Sequence, residues 1–262
     1  MKKFLAMIMA LVMILGALTS CVLSSEDLEN VKEAGTLVVG ITNYEPMDFK
    51  DENGNWIGFD ADLAKEFAES LGVECRFVEI DWDNKVAELN TRQIDLIWNG
   101  MTASDKLGEQ IDFSTAYAKN AQVVVVKKDS AITKDSLADI SIAVEKGSAG
   151  AITTEEVIKP KTVNQVTKQL DALNEVLAGT SDAAVIDLTM AQSKLGKGDY
   201  ADLEILEGAQ YGEEVFAVGL RQGSSLKAEL DKFLAAKFTD GTMATLSAKY
   251  DNAIVINESA FN

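Results

Sequence analysis

From residue 36 onward the chain alternates two rhythms. Short runs rich in β-branched and aliphatic residues, TLVVGI at 36–41, RFVEI at 76–80 and IDLIW at 94–98, read as strands. Between them DADLAKEFAESLG sets Leu63, Ala64, Phe67, Ala68 and Leu71 on one helical face, the stripe with which a helix covers a sheet. AQVVVVKKD at 121–129 is a continuous apolar run ending in charge, which suits a buried strand leaving this first unit. A second unit repeats the alternation. ISIAV at 140–144 reads as a strand, GSAGAITTEEVI as a glycine turn opening a helix, and NQVTKQLDALNEVLAG as an amphipathic helix through Val166, Leu170, Leu173 and Leu177. DAAVID at 182–187 predicts the next strand, ending on an acid. YGEEVFAVGLR is a further strand-like run, and the tail predicts two helices, one carrying Leu226, Leu230, Phe233 and Phe238, the other Met243 and Leu246. Such alternation is the signature of α/β folds with parallel sheets. With only two prolines and no linker-like tract, the junctions between the units are read as strands.

The N-terminus follows neither rhythm. Met1, Lys2 and Lys3 give a positive start, FLAMIMALVMILGA a short apolar core, and LTSC a small-residue site ending at Cys21, the plan of a secretory signal. The apolar run is short for a membrane span. The segment resembles a bacterial lipoprotein signal, which implies that Cys21 is lipidated once residues 1–20 are removed and that residues 21–34 form a tether. Loss of Lys2 and Lys3 leaves 22 Lys+Arg against 42 Asp+Glu, a formal net charge of −20. That balance argues against nucleic acid and anionic lipid surfaces as partners. With Cys21 carrying lipid, Cys75 is unpaired and no intramolecular disulfide forms; its context VECRFVEI suits a small apolar residue rather than a reactive thiol. The absence of histidine excludes a Ser-His-Asp triad and argues against a zinc site, so neither metal nor cofactor is expected.

In order along the chain stand VVGITNYEPMDF, WIGFDADLAKEFAESLG, IDLIWNGMTASDK, QIDFSTAY, AVEKGSAG, DAAVIDLTMA and DGTMATLSAKYD. From about residue 30 to the end this series resembles the extracellular solute-binding proteins of polar amino-acid ABC importers (family 3); Ala61 is a minor departure. The resemblance implies a two-lobed, type II periplasmic-binding-protein-like α/β fold, each lobe a mostly parallel sheet flanked by helices, joined by two crossover strands. Lobe 1 would be 35–124 with 213–262, and lobe 2 125–212. It further implies a monomeric, lipid-anchored binding component on the extracytoplasmic face of a bacterial membrane. Such a protein captures a small polar solute, an amino acid or related amine, by hinge closure and delivers it to permease subunits, without being an enzyme.

Carried onto this chain, the resemblance assigns Tyr44 to stack on or cap the ligand. Asn99, Gly100, Met101 and Thr102 would line the cleft, with amide, backbone and hydroxyl donors for a carboxylate. Gly147, Ser148 and Ala149 would present a helix N-terminus to the same group, and Asp187 would pair with an ammonium. Trp82 and Trp98 could each wall the cleft or fill the core; Trp82 is counted with the site. Each assignment has a plainer alternative. Thr102 or Ser104 could be a helix cap, Gly147 a turn, Asp187 a strand-end acid and Tyr44 mere packing. Enzymes also occur on this fold; Asp48, Asp187 or Glu145 would then have to act as acid or base. A ligand-sensing module would share every site residue.

One position departs from the resemblance. Relatives carry T-x-T-x-x-R, whose arginine forks onto the ligand carboxylate, whereas this register reads Thr102, Ala103, Ser104, Asp105, Lys106, Leu107. Leucine has no donor and cannot replace a bidentate guanidinium. The three arginines, Arg76, Arg92 and Arg221, lie in segments outside the expected cleft. Either backbone amides, hydroxyls and Lys106 hold the carboxylate, or the ligand is not a standard α-amino acid.

Overall fold

The computed structural model describes residues 26–262; the expected signal at 1–20 and Cys21 lie outside the described residues. The strands, in chain order, are β1 (Thr36–Ile41), β2 (Phe49–Lys50), β3 (Trp56–Ile57), β4 (Glu74–Glu79), β5 (Leu96–Ile97), β6 (Asp112–Phe113), β7 (Ala118–Lys127), β8 (Ser141–Glu145), β9 (Thr162–Val166), β10 (Ala183–Asp187), β11 (Leu203–Phe216), β12 (Gly219–Leu220) and β13 (Val255–Ile256). They build two main sheets and the small β2–β3 hairpin. In the first sheet, ordered β4-β1-β5-β12-β6, β1 runs parallel to β4 and β5 while β12 is antiparallel to β5 and β6. In the second, ordered β11-β7-β10-β8-β9 with β13 added on β7, β8 runs parallel to β9 and β10, and β7 is antiparallel to β10, β11 and β13. Strands covered on both faces have no polar side to show, and all five residues of β10 are buried.

Each sheet is the centre of one lobe of a two-lobed α/β fold. Helix Phe59–Leu71 lays Phe59, Leu63, Ala64, Phe67 and Ala68 against the first sheet, and Gly72 closes it in the left-handed conformation. Phe67 meets the Trp98 ring at 6.3 Å and the Phe233 ring, on helix Leu226–Thr239, at 5.3 Å. Trp98 is thus a core residue of the first lobe. Trp56 is half-buried in the small hairpin, with the Lys50 ammonium 4.7 Å from its ring centroid. Helices Gln169–Ala178 and Leu188–Lys194 cover the second sheet. Cys75, half-buried on β4, has its thiol pushed up to about 12 by burial, which leaves it inert.

Three sequence expectations change. Residues Asn164–Val166, read as the start of a helix, belong to β9, where TVNQV pairs with β8; the helix begins at Gln169. β11 begins at Leu203, well ahead of the expected 211, because LEILEGAQ is a charged, largely exposed edge. Residues 27–34, expected within a tether, form a helix docked on the first lobe: Asp27 is fully buried and meets Arg221 Nε at 2.9 Å, Arg92 Nη1 at 2.8 Å and the Ser224 hydroxyl at 2.8 Å, and Val31 enters the core. The expected lobe boundaries at 124/125 and 212/213 fall inside β7 and β11, each a continuous strand of the second sheet.

Candidate functional site

A cavity of about 470 Å³ lies between the lobes, where β1, β5, β8 and β10 present their C-terminal ends. All ten residues expected at the site line it: Tyr44, Trp82, Asn99, Gly100, Met101, Thr102, Gly147, Ser148, Ala149 and Asp187. Leu107 and Lys106 line it as well, and none of the three arginines does. Arg221 is buried elsewhere, bonded to Asp27, Asp95 and the Leu89 and Ile94 carbonyls.

The first-lobe wall is built by the turn after β5. Gly100 has φ +54°, and a Cβ there would stand 2.6 Å from Tyr44 Cε1, so only glycine lets the turn pass under the tyrosine ring. Three donors of this turn, which the resemblance aims at a ligand, are bonded within the protein. The Asn99 amide is locked on Thr42, its Oδ1 accepting from Thr42 N–H and its Nδ2 donating to Thr42 Oγ1, both at 2.8 Å. The Gly100 N–H donates to Asp60 Oδ2 at 2.6 Å, and the Tyr117 hydroxyl donates to the same oxygen at 2.7 Å. Burial pushes Asp60 up to about 7 against the pull of these bonds. The Thr102 hydroxyl donates to Glu214 Oε2 at 3.0 Å. Ser104 caps the short helix Asp105–Gly108, accepting from Leu107 N–H at 3.3 Å.

The second-lobe wall is acidic. Asp187, the last residue of β10, is 5 % exposed and accepts from Asn120 Nδ2 at 2.6 Å, from Gln122 Nε2 at 2.7 Å and from Gln169 Nε2. Burial raises its pKa and these amides hold it back. Asn120 and Gln122, two residues apart on β7, also donate to Glu214 Oε2, at 3.1 and 2.8 Å. Burial and the Asp187 charge raise the Glu214 pKa. Glu145, the last residue of β8, is pushed up to about 8 by burial and then by Asp187. Tyr44, 2 % exposed, sets its hydroxyl against Asp187; burial and then the Asp187 charge raise its pKa. Ser148 caps helix Ala149–Thr153, accepting from Ala151 N–H at 3.0 Å.

The lobes touch across the cavity mouth. Lys85, from helix Lys85–Asn90, donates to the Trp82 carbonyl at 3.0 Å and to the Gly147 carbonyl at 2.9 Å; burial pulls its pKa down to about 8. Lys146 pairs with Asp83 at 2.9 Å, Lys168 with Glu79 at 2.6 Å, Lys197 with Asp251 at 3.0 Å, and Lys194 with Glu45. This is a closed arrangement.

Sequence reasoning missed Asn120, Gln122, Gln169 and Glu214 as parts of the site. Two amides at alternate positions of an otherwise apolar strand were the signal for the first two, since a buried polar side chain needs a partner. Among the described residues no group of acids and cysteines is arranged to hold a metal ion, and no helix is long and apolar enough to cross a membrane.

Two α/β lobes facing each other across a cavity lined by both are the plan of a solute-binding protein. The chain belongs to the bacterial extracellular solute-binding proteins, family 3, whose pattern it matches over residues 37–253. It is 30% identical over 261 residues to the arginine-binding extracellular protein ArtP of Bacillus subtilis (strain 168), covering 95% of this chain and 98% of that one. A substrate-binding protein of an ABC uptake transporter from Streptococcus pneumoniae, solved with bound histidine, superposes with a TM-score of 0.82 at 30% identity, covering 89% of this chain and 99% of that one. The ancestral amino-acid-binding protein AncCDT-1, a precursor of cyclohexadienyl dehydratase, superposes with a TM-score of 0.77 at 31% identity, covering 85% and 98%. The protein is therefore the substrate-binding component of an ABC uptake system.

Proposed function

We propose that this protein captures an amino acid or an amino-acid-like amine between its lobes, closes on it, and releases it unchanged to the permease subunits of its importer. The observation that supports this reading best is Asp187: a buried carboxylate at the end of β10, held by three amides and facing a closed cavity, is a seat for an ammonium. Lobe 1 contributes Tyr44, Trp82 and the 99–102 turn, lobe 2 the 147–149 turn and Asp187, so a ligand touches both lobes only when they close. The division into these two lobes, with β7 and β11 as crossings, is part of the same proposal. Binding without turnover is part of the proposal, with Glu145 the one expected acid or base that would have to carry any catalysis from the cavity lining. Asp48 is fully buried away from the cavity lining, and Asp187 is fixed by its amides. We further propose lipid anchoring at Cys21, which would hold a monomeric protein on the extracytoplasmic face of the membrane.

A thermal-shift screen of amino acids and small amines, followed by small-angle scattering with the best hit, tests the reading. The expected result is a raised melting temperature and a compaction at saturation, with the ligand recovered intact by mass spectrometry. A hit that leaves the scattering curve unchanged would overturn hinge closure; a converted ligand would make the protein an enzyme.

A further inference from the structure

We infer that the cavity takes an organic amine that lacks an α-carboxylate, the decarboxylated form of an amino acid. This rests on the proposed function and narrows its ligand. Asp187, Glu145 and Glu214 all line the cavity, and among the described residues none of them is in an ion pair. Asp187 and Glu214 stand side by side, because the amides of Asn120 and Gln122 each donate to both. Beside them the buried Tyr44 hydroxyl, set against Asp187, lines the same space. An ammonium, with its several N–H donors, satisfies this wall: two carboxylates for charge and a phenol oxygen as a further acceptor.

A carboxylate on the carbon next to that ammonium finds the opposite. It would sit close to Asp187 and Glu214, where like charges repel, and the side-chain cations that could offset this are engaged. Lys85 serves two carbonyls and Lys146 serves Asp83. Lys106 stands exposed at the rim, where water screens it. The neutral donors of the first-lobe wall are committed too: Asn99 to Thr42, the Gly100 N–H to Asp60, and the Thr102 hydroxyl to Glu214; on the second-lobe wall the Ser148 N–H is bonded to the Glu145 carbonyl and the Ala151 N–H to Ser148 Oγ. Trp82, Met101, Leu107 and Ile152 complete the lining with apolar surface for a carbon skeleton.

Calorimetric titration of the purified protein with four matched pairs tests this: agmatine and L-arginine, 1,5-diaminopentane and L-lysine, histamine and L-histidine, tyramine and L-tyrosine. The members of each pair differ only in the carboxylate. The expected result is that at least one amine binds with a Kd ten or more times lower than that of its parent. If every pair that binds shows an advantage below tenfold, or favours the amino acid, the inference is overturned and the proposed function stands; binding by no member overturns both. A second measurement uses Glu214→Gln, with folding checked by circular dichroism. It is expected to raise the Kd of the bound amine tenfold or more while leaving that of the parent amino acid no higher. An equal loss for both members of the pair would assign Glu214 a purely structural role and overturn the inference.

Discussion

Burial raises the Asp187 pKa, and three side-chain amides that converge on it, from Asn120, Gln122 and Gln169, hold it back. Removing the carboxylate removes the ligand's counter-charge and takes the acceptor from the Gln169 amide, while Asn120 and Gln122 keep Glu214, so Asp187→Ala is expected to weaken binding of the best amine by about 2–5 kcal/mol; calorimetric titration checks this. Leu107→Arg makes the reverse test. A guanidinium in the lining should lower amine affinity by adding a like charge, and strengthen binding of an α-amino acid by about 1.5–3 kcal/mol through new hydrogen bonds to its carboxylate. Titrating both ligand types against this variant reads out the two signs. That Tyr44, Asp187 and the 99–102 turn line the cavity was legible in the sequence because their motifs are local. Glu214 was not, since it reaches the site only through the pairing of β11 with β7, which sets it opposite Asn120 after a register shift. The Asn99 amide pointed to a ligand contact, yet Thr42, far away in sequence, turns it inward.

The turn from β8 into the following helix shows how one element sets the closed geometry. Gly147 has φ +72°, and a Cβ there would stand 2.7 Å from Asp83 Oδ1 and 3.0 Å from Asp83 Cα, on the opposite lobe. Gly147→Ala is therefore expected to cost about 1 kcal/mol in the strained turn and, separately, to obstruct closure. The protein should fold, bind its ligand more weakly, and show a smaller ligand-induced compaction in solution scattering. Legibility at this scale followed burial. Strands and helices with strongly buried apolar positions, such as β1, β10 and helix Phe59–Leu71, matched their sequence patterns. Those that failed were edges and hybrids. β9 sits at a sheet edge, its alternation blends into the helical spacing that follows, and the first half of β11 is too charged to read as a strand.

Across the whole molecule, buried acids tie stability to pH. Asp60 is held up to about 7 and Glu145 to about 8, while Asp48, Asp187 and Glu214 are also raised, in every case with burial as the largest cause. The native state therefore binds more protons than the unfolded chain from about pH 4 upward, and stability falls as pH rises through about 4 to 8. Lys85, pulled down to about 8, opposes this only above that value, and the lowered carboxyls of Asp51, Glu79 and Asp182 act at more acid pH. The ligand-free protein should melt at a higher temperature at about pH 5.5 than at about pH 8, a difference that differential scanning calorimetry measures.

β13 carries a consequence for how the molecule moves. After the helices of the first lobe, the chain lays β13 along β7, pairing Val255 with Lys119 and Ile256 with Ala118, and Asn257 N–H donates to the Tyr117 carbonyl at 2.9 Å. Two ribbons joining rigid bodies permit bending and also torsion about their shared axis. If β7 and β11 are the crossings, a third ribbon fastened beside them should resist the torsion and leave the bend. The tips of the two lobes then meet at a reproducible angle each time, so a partner that reads both at once can recognise the loaded state by orientation as well as by separation.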